Sequence, residues 1–189
     1  MRALVVYAHP SEESFCAALR DRAVAGLLDG GHTVDLIDLY ASGFDPGTPA
    51  TGGDGGAEGT ETDHARRLAA ADALVLVHPT WWGGQPAILK GWFDEVLREG
   101  VAYRFDRRGC PRSLLRHIRS LVVVTTYGSS RWVNLLEGEP GRRTVRWALR
   151  ALLGWRARSR WLACYRMDTA GEAERLRFLE RVQGELARL

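Results

Sequence analysis

Lysine is almost missing from this chain: of its 26 basic residues all but Lys90 are arginine, against 23 acidic residues and a net charge of +3. The arginines are scattered, with only small clusters at Arg107–Arg108 and Arg142–Arg143. That reads as a solvated surface and gives no nucleic-acid footprint. Cysteine is nearly as scarce. Cys16, Cys110 and Cys164 lie far apart and lack the spacing of a metal site, so no metal is expected. An odd, sparse set suits a reducing compartment. No apolar run reaches the ~20 residues a membrane span needs, so no membrane insertion is expected. Leu4 to Tyr7 is too short for a secretory leader and runs directly into His9-Pro10. The expected location is cytoplasmic. There is no Walker A motif, and no G-x-G-x-x-G follows the first apolar run. Neither a P-loop NTPase nor a glycine-fingerprint dinucleotide site is therefore supported. Internal repeats are absent too. What remains is 189 residues with 46% hydrophobic content, which suits one domain, 1–189, with a real core.

Five short apolar runs alternate with helical patterns. Ala3–Tyr7 reads as strand one, Thr33–Leu39 as strand two and Ala73–His78 as strand three. Leu121–Thr125 and Arg160–Tyr165 are strands four and five. Helices are expected at Phe15–Leu28, Thr62–Ala71 (with Thr62 or Asp63 as cap) and from Pro86 to about Arg98. Two more cover Arg142–Leu153 and Glu172–Leu189, the last with Leu176, Leu179, Val182 and Leu186 on one face. Residues 42–59, 101–111 and 126–141 read as loops, the first of them long and mobile. Alternation of this kind predicts an α/β, flavodoxin-like three-layer sandwich. Its five-stranded parallel sheet would have the order 2-1-3-4-5.

In that topology the loops after strands one, three and four meet at one edge of the sheet. The first carries His9 and Ser14 at the start of a helix, an arrangement that suits a phosphate, although Ser14 alone is equally an ordinary helix cap. The second is Pro79-Thr80-Trp81-Trp82-Gly83, which feeds the helix after Pro86. Adjacent Trp residues there either fill core or wall a flat aromatic ligand. The third is Thr125-Thr126-Tyr127-Gly128 with Ser129, Ser130 and Arg131 beyond it. It offers hydroxyls, backbone N–H groups and a cation to a polar ring edge, or is only a turn. Phosphate, flat ring and polar edge together describe a flavin nucleotide.

The chain resembles the flavodoxin-like NAD(P)H:quinone oxidoreductase family, the DT-diaphorase type and its shorter bacterial relatives. The resemblance is carried by Trp82, Gly84, Pro86-Ala87-Ile88-Leu89-Lys90-Gly91-Trp92-Phe93 and Ala102-Tyr103. His9 with Ser14-Phe15, Asp38-Leu39-Tyr40 and Thr125-Thr126 add to it. It extends to about residue 130 and is topological beyond. It implies FAD, with FMN as alternative, NAD(P)H as co-substrate, and two-electron transfer to quinones or similar small electrophiles by alternate occupation of one place. It also implies a homodimer with the flavin at the subunit boundary. By the resemblance, His9, Phe15 and Cys16 lie by the phosphate arm, Cys16 standing where an Asn is common. Pro79, Thr80, Trp81, Trp82 and Gly83 run along the ring, and Thr125, Thr126, Tyr127 and Gly128 hold its polar edge. Trp82, Tyr103 and Arg131 are the candidate catalytic residues, with Tyr103 and Phe105 covering substrate from the partner subunit. The family's Tyr and His after strand four have no match in Trp132–Glu139. Two other readings of such a chain are a flavodoxin-like electron carrier and a redox-sensing ancillary subunit of a membrane transporter.

Overall fold

The computed structural model describes residues 1–46 and 60–189. The sheet strands are β1 (Arg2–Tyr7), β2 (Thr33–Asp38), β3 (Ala73–Pro79), β6 (Ser120–Thr126) and β7 (Arg158–Cys164). All pairings among them are parallel, in the order β2-β1-β3-β6-β7. That is the expected order once a small hairpin, β4 (Tyr103–Phe105) with β5 (Pro111–Ser113), is counted separately. The helices are α1 (Phe15–Asp29), α2 (Thr60–Ala69), α3 (Ala87–Val96), α4 (Arg131–Leu136), α5 (Pro140–Thr144) and α6 (Glu172–Ala187). A π-helical segment, Val145–Leu149, continues α5.

Every residue of β3 and β6 is buried, which is why 73–77 and 121–124 are continuously apolar rather than alternating. Successive side chains then point to opposite faces. Leu4, Val6, Leu74, Leu76, Leu121 and Val123 form one core with α2, α3 and the segment after α5. Val5, Tyr7, Val75, Val77, Val122 and Val124 form the other with α1 and α6. The two covering helices of that second face touch closely: a Cβ on Gly26 would lie 2.3 Å from the Gln183 carbonyl oxygen. No helix among the described residues is long and apolar enough to cross a membrane.

Several expectations need correction. Helix α2 starts at Thr60, so Thr62 and Asp63 lie inside its first turn rather than capping it; Asp63 instead pairs with Arg66 and Arg67. The 101–111 stretch contributes strands β4 and β5 around a left-handed Gly109, with φ +72°. The 126–141 stretch holds the whole of α4, capped by Ser130, whose Oγ accepts from the Val133 N–H, and the start of α5. On α6 the buried residue is Phe178, with Leu179, Val182 and Leu186, while Leu176 is exposed. Most of the 42–59 stretch, residues 47–59, lies outside the described residues. Its start is anchored, with Phe44 buried against the His64 ring at 5.8 Å.

Candidate functional site

The carboxyl ends of β1, β3, β6 and β7 meet on one edge, where an open α/β sheet forms its crevice. Pro79 ends β3, fully buried, and the Thr80 N–H donates to the Thr126 carbonyl at 2.8 Å. The Thr80 and Thr125 hydroxyls share a hydrogen bond at 2.9 Å. From there Trp81 to Gly84 folds as a two-residue hairpin, each end donating to the other at 3.0 Å. Trp82 has φ +50° and Gly83 φ +72°. Positive φ at both central residues marks a type I′ turn, whose usual residues are Asn, Asp and Gly. A Trp there is strained by roughly 1–3 kcal/mol. Its side chain gains nothing from the fold in return. Trp82 is fully exposed, at 104% of its reference area, and Trp81 is 45% exposed. Neither fills core, whereas Trp92, further along α3, is completely buried.

The tip of this hairpin is held from behind. The Gly141 N–H, in the first turn of α5, donates to the Gly83 carbonyl at 2.9 Å, and the Gln85 side chain donates to the Gly141 carbonyl at 2.8 Å. Neither Gln85 nor Gly141 was recognisable as a site residue, since their pairing depends on a fold-back between distant segments.

After β1, Ser14 caps α1: its Oγ accepts from the Ala17 N–H at 3.1 Å and donates to the Ser11 carbonyl at 2.8 Å. The half-buried His9 is fixed by the Ser11 N–H, which donates to Nδ1 at 3.0 Å. The Phe15 and Cys16 N–H groups open the helix and meet no acceptor among the described residues, as expected of a first turn. The Cys16 side chain points the other way, into the second core, where burial pushes its thiol up to about 12. Tyr7 and Arg20, unmarked in the sequence, complete this corner. The guanidinium lies 4.8 Å over the phenol ring and also pairs with Glu12.

After β6, the Tyr127 N–H donates to the Cys164 carbonyl at 2.8 Å, so it is not free for a ligand. The Tyr127 ring is buried and stacks on Tyr165 at 4.9 Å, and burial pushes its phenol up to about 12. Gly128 is exposed beside Asp168, whose carboxylate oxygen would lie 2.7 Å from a Cβ there. Arg131 is exposed at the head of α4, where Asn134 donates to the Ser129 hydroxyl at 2.9 Å. Tyr103 and Phe105 are not brought to this edge. They sit on the β4–β5 hairpin, their rings edge-to-face at 5.6 Å, with Phe105 exposed.

A family model described as flavodoxin-like fold matches residues 1–171. The chain belongs to the flavodoxin-like fold family. Among curated relatives of this flavodoxin-like chain, a ribosyldihydronicotinamide dehydrogenase [quinone] from Pongo abelii is 34% identical over 151 residues. The alignment covers 68% of this chain and 64% of that protein. The chain thus spans somewhat under two thirds of the length of that relative. Among solved structures, Smu.1420 from Streptococcus mutans UA159 superposes with a TM-score of 0.85 at 26% identity, covering both chains fully. The NAD(P)H:quinone oxidoreductase from Methanothermobacter marburgensis gives 0.81 at 25% identity, over 100% of this chain and 95% of that one.

Proposed function

We propose that this chain is a flavin-dependent NAD(P)H oxidoreductase whose acceptors are quinones or similar small electrophiles. The observation that carries the reading is Trp82: a large apolar ring held in a strained turn and wholly in water. Strain of this kind persists where function uses it. The surrounding donor set suits a flavin nucleotide. Free N–H groups at the α1 N-terminus suit its phosphate. The Trp81–Trp82 hairpin suits its ring, and the Thr80–Thr125 pair, Gly128 and Arg131 suit its polar edge. The relatives named as quinone dehydrogenases and oxidoreductases support the same reading.

A bound flavin would supply two-electron chemistry between NAD(P)H and an acceptor, the two occupying one place in turn. The chain's own part is binding, orientation and electrostatics. The Phe15 and Cys16 N–H groups and the Ser14-capped helix hold the phosphate. Trp82 walls the ring and excludes water from one side. The Gly128 N–H, with Arg131, offsets negative charge at the ring's polar edge in the manner of an oxyanion hole. Tyr103 and Phe105 cover the substrate from a second copy of the chain, which makes the working unit a C₂ dimer. FAD is the favoured nucleotide, on the close resemblance of Pro79–Tyr103 to the FAD-binding type, and FMN the alternative.

The test is direct. Purified protein is titrated with FAD and FMN, followed by fluorescence quenching, and then assayed for NADPH and NADH oxidation with menadione. Quenching by one flavin and turnover by a dimer are expected. Absence of quenching with both flavins refutes the flavin assignment, and a turning-over monomer refutes the dimeric site.

A further inference from the structure

The carboxyl end of β7 carries a hollow of about 230 Å³ lined by Arg131, Arg142, Trp161, Ala163, Tyr165 and Arg181. Its arginines come from three elements. Arg142 belongs to α5, whose continuation packs through Val145 and Leu149 into the first core. Arg181 belongs to α6, which packs into the second. They therefore converge from opposite faces of the sheet around its open edge strand. Of the three, only Arg142 has an acidic partner, Glu139 at 2.9 Å; Arg131 and Arg181 form no ion pair among the described residues. Arg131 and Arg181 are exposed and Arg142 is half-buried, and all three line one concavity together with Trp161 and Tyr165. A set of planar guanidinium groups around one hollow suits a phosphate.

The hollow lies next to the proposed redox site. Tyr165 stacks on Tyr127 at 4.9 Å, and Tyr127 follows β6, the neighbour of β3. Two strand spacings, about 10 Å, separate β7 from the strand that ends at the Trp hairpin. We propose that this hollow binds the 2′-phosphate of NADPH and makes the chain select NADPH over NADH. The inference rests on the reductase reading for its purpose. The anion site itself rests on the arginines alone.

The experiment uses the protein as purified. Calorimetry compares 2′,5′-ADP with 5′-AMP, with inorganic phosphate as competitor, for the wild type, Arg181→Gln and Arg116→Gln. Arg116 lines a separate hollow at the amino end of β6 and controls for diffuse charge. Expected are binding of 2′,5′-ADP at least tenfold tighter than 5′-AMP, competition by phosphate, and a loss of about tenfold in that preference in Arg181→Gln only. The ratio of kcat/KM for NADPH to that for NADH should fall by a similar factor. Equal binding of the two nucleotides, or equal effects of the two substitutions, overturns the proposal. Discrimination of 2′,5′-ADP by a protein that reduces no quinone leaves the phosphate site standing and removes the reductase reading.

Discussion

The backbone N–H of Gly141 donates to the carbonyl of Gly83 across 2.9 Å, and a methyl group between the two segments would need them to part by a few tenths of an ångström. A Cβ on Gly141 would sit 3.0 Å from the Gly83 oxygen and 3.0 Å from the Gly84 Cα. Both are backbone atoms of the Trp hairpin and can move only if the hairpin moves. Gly141→Ala should therefore cost about 1–3 kcal/mol, as overpacking does, and weaken flavin binding by tenfold or more. Thermal melting beside flavin titration measures both. Wild-type flavin affinity in this variant would show that α5 does not set the hairpin's position.

Trp82 separates stability from function in a single position. Its indole is exposed, so Trp82→Phe should leave the apoprotein melting temperature within a degree or two of wild type. Trp82→Gly should raise apoprotein stability by roughly 1 kcal/mol, because glycine accepts positive φ without strain. Both should lower flavin affinity or the rate of flavin reduction. Trp92→Ala is the contrast: a fully buried ring is lost, at roughly 3–5 kcal/mol. If Trp82→Phe melts early yet reduces flavin at the wild-type rate in stopped flow, the ring-wall role is wrong.

His78 makes the fold acid-sensitive in a defined window. It is completely buried in β3; burial pushes its imidazole down to about 4, and Nδ1 lies 2.9 Å from the Pro79 carbonyl oxygen, to which the neutral ring donates. An unfolded histidine titrates near about 6.5. Between those values the unfolded chain binds more protons than the native one, so stability falls as pH falls from about 6.5 to 4. The loss reaches about 3 kcal/mol. Urea unfolding at pH 7 and pH 4.5 should show this drop in wild type and a shallower one in His78→Gln. Identical pH slopes would mean that other groups govern the acid limb.

The three thiols should react very unequally. Cys110 is exposed, whereas Cys16 and Cys164 are buried and burial raises both. Only a thiolate alkylates rapidly. Iodoacetamide at pH 8 should add one group to the native chain, at Cys110, and three in denaturant. Peptide mass mapping that finds Cys16 modified in the native protein would contradict its placement in the second core.

What could be read from residues alone follows from periodicity. Strands β1, β3 and β6 each hold a continuous apolar run, and helices α3 and α6 carry a 3.6-residue pattern, so their order and the parallel sheet were legible. The β4–β5 hairpin was not, because three-residue strands have no period to detect. Helix α4 was hidden by its shortness and by the Ser, Asn and Gly around it. On α6 the spacing allows a face through Leu176 or one through Phe178, and only packing against α1 selects the second. At the site, Trp81 and Trp82 were visible as unusual, but their burial was not. The type I′ geometry that turns Trp82 outward depends on Gly83 and on the brace from Gly141. The Thr80–Thr125 pairing requires the register of β3 against β6, which no local pattern encodes.

The close seating of Gly26 against Gln183 has a consequence for how the molecule is made. The second core is lined by β1 and α1 at one end of the chain, yet its cover is α6, which follows every strand of the sheet. During synthesis Leu19, Ala23 and Leu27 can pack on the strands but lack their contacts with α6 until that helix has been made. Until then this side of the sheet is covered by α1 alone. A nascent chain stalled before Glu172 should accordingly be a chaperone substrate, sensitive to protease across α1. A chain released past Ala187 should close that side in one cooperative step.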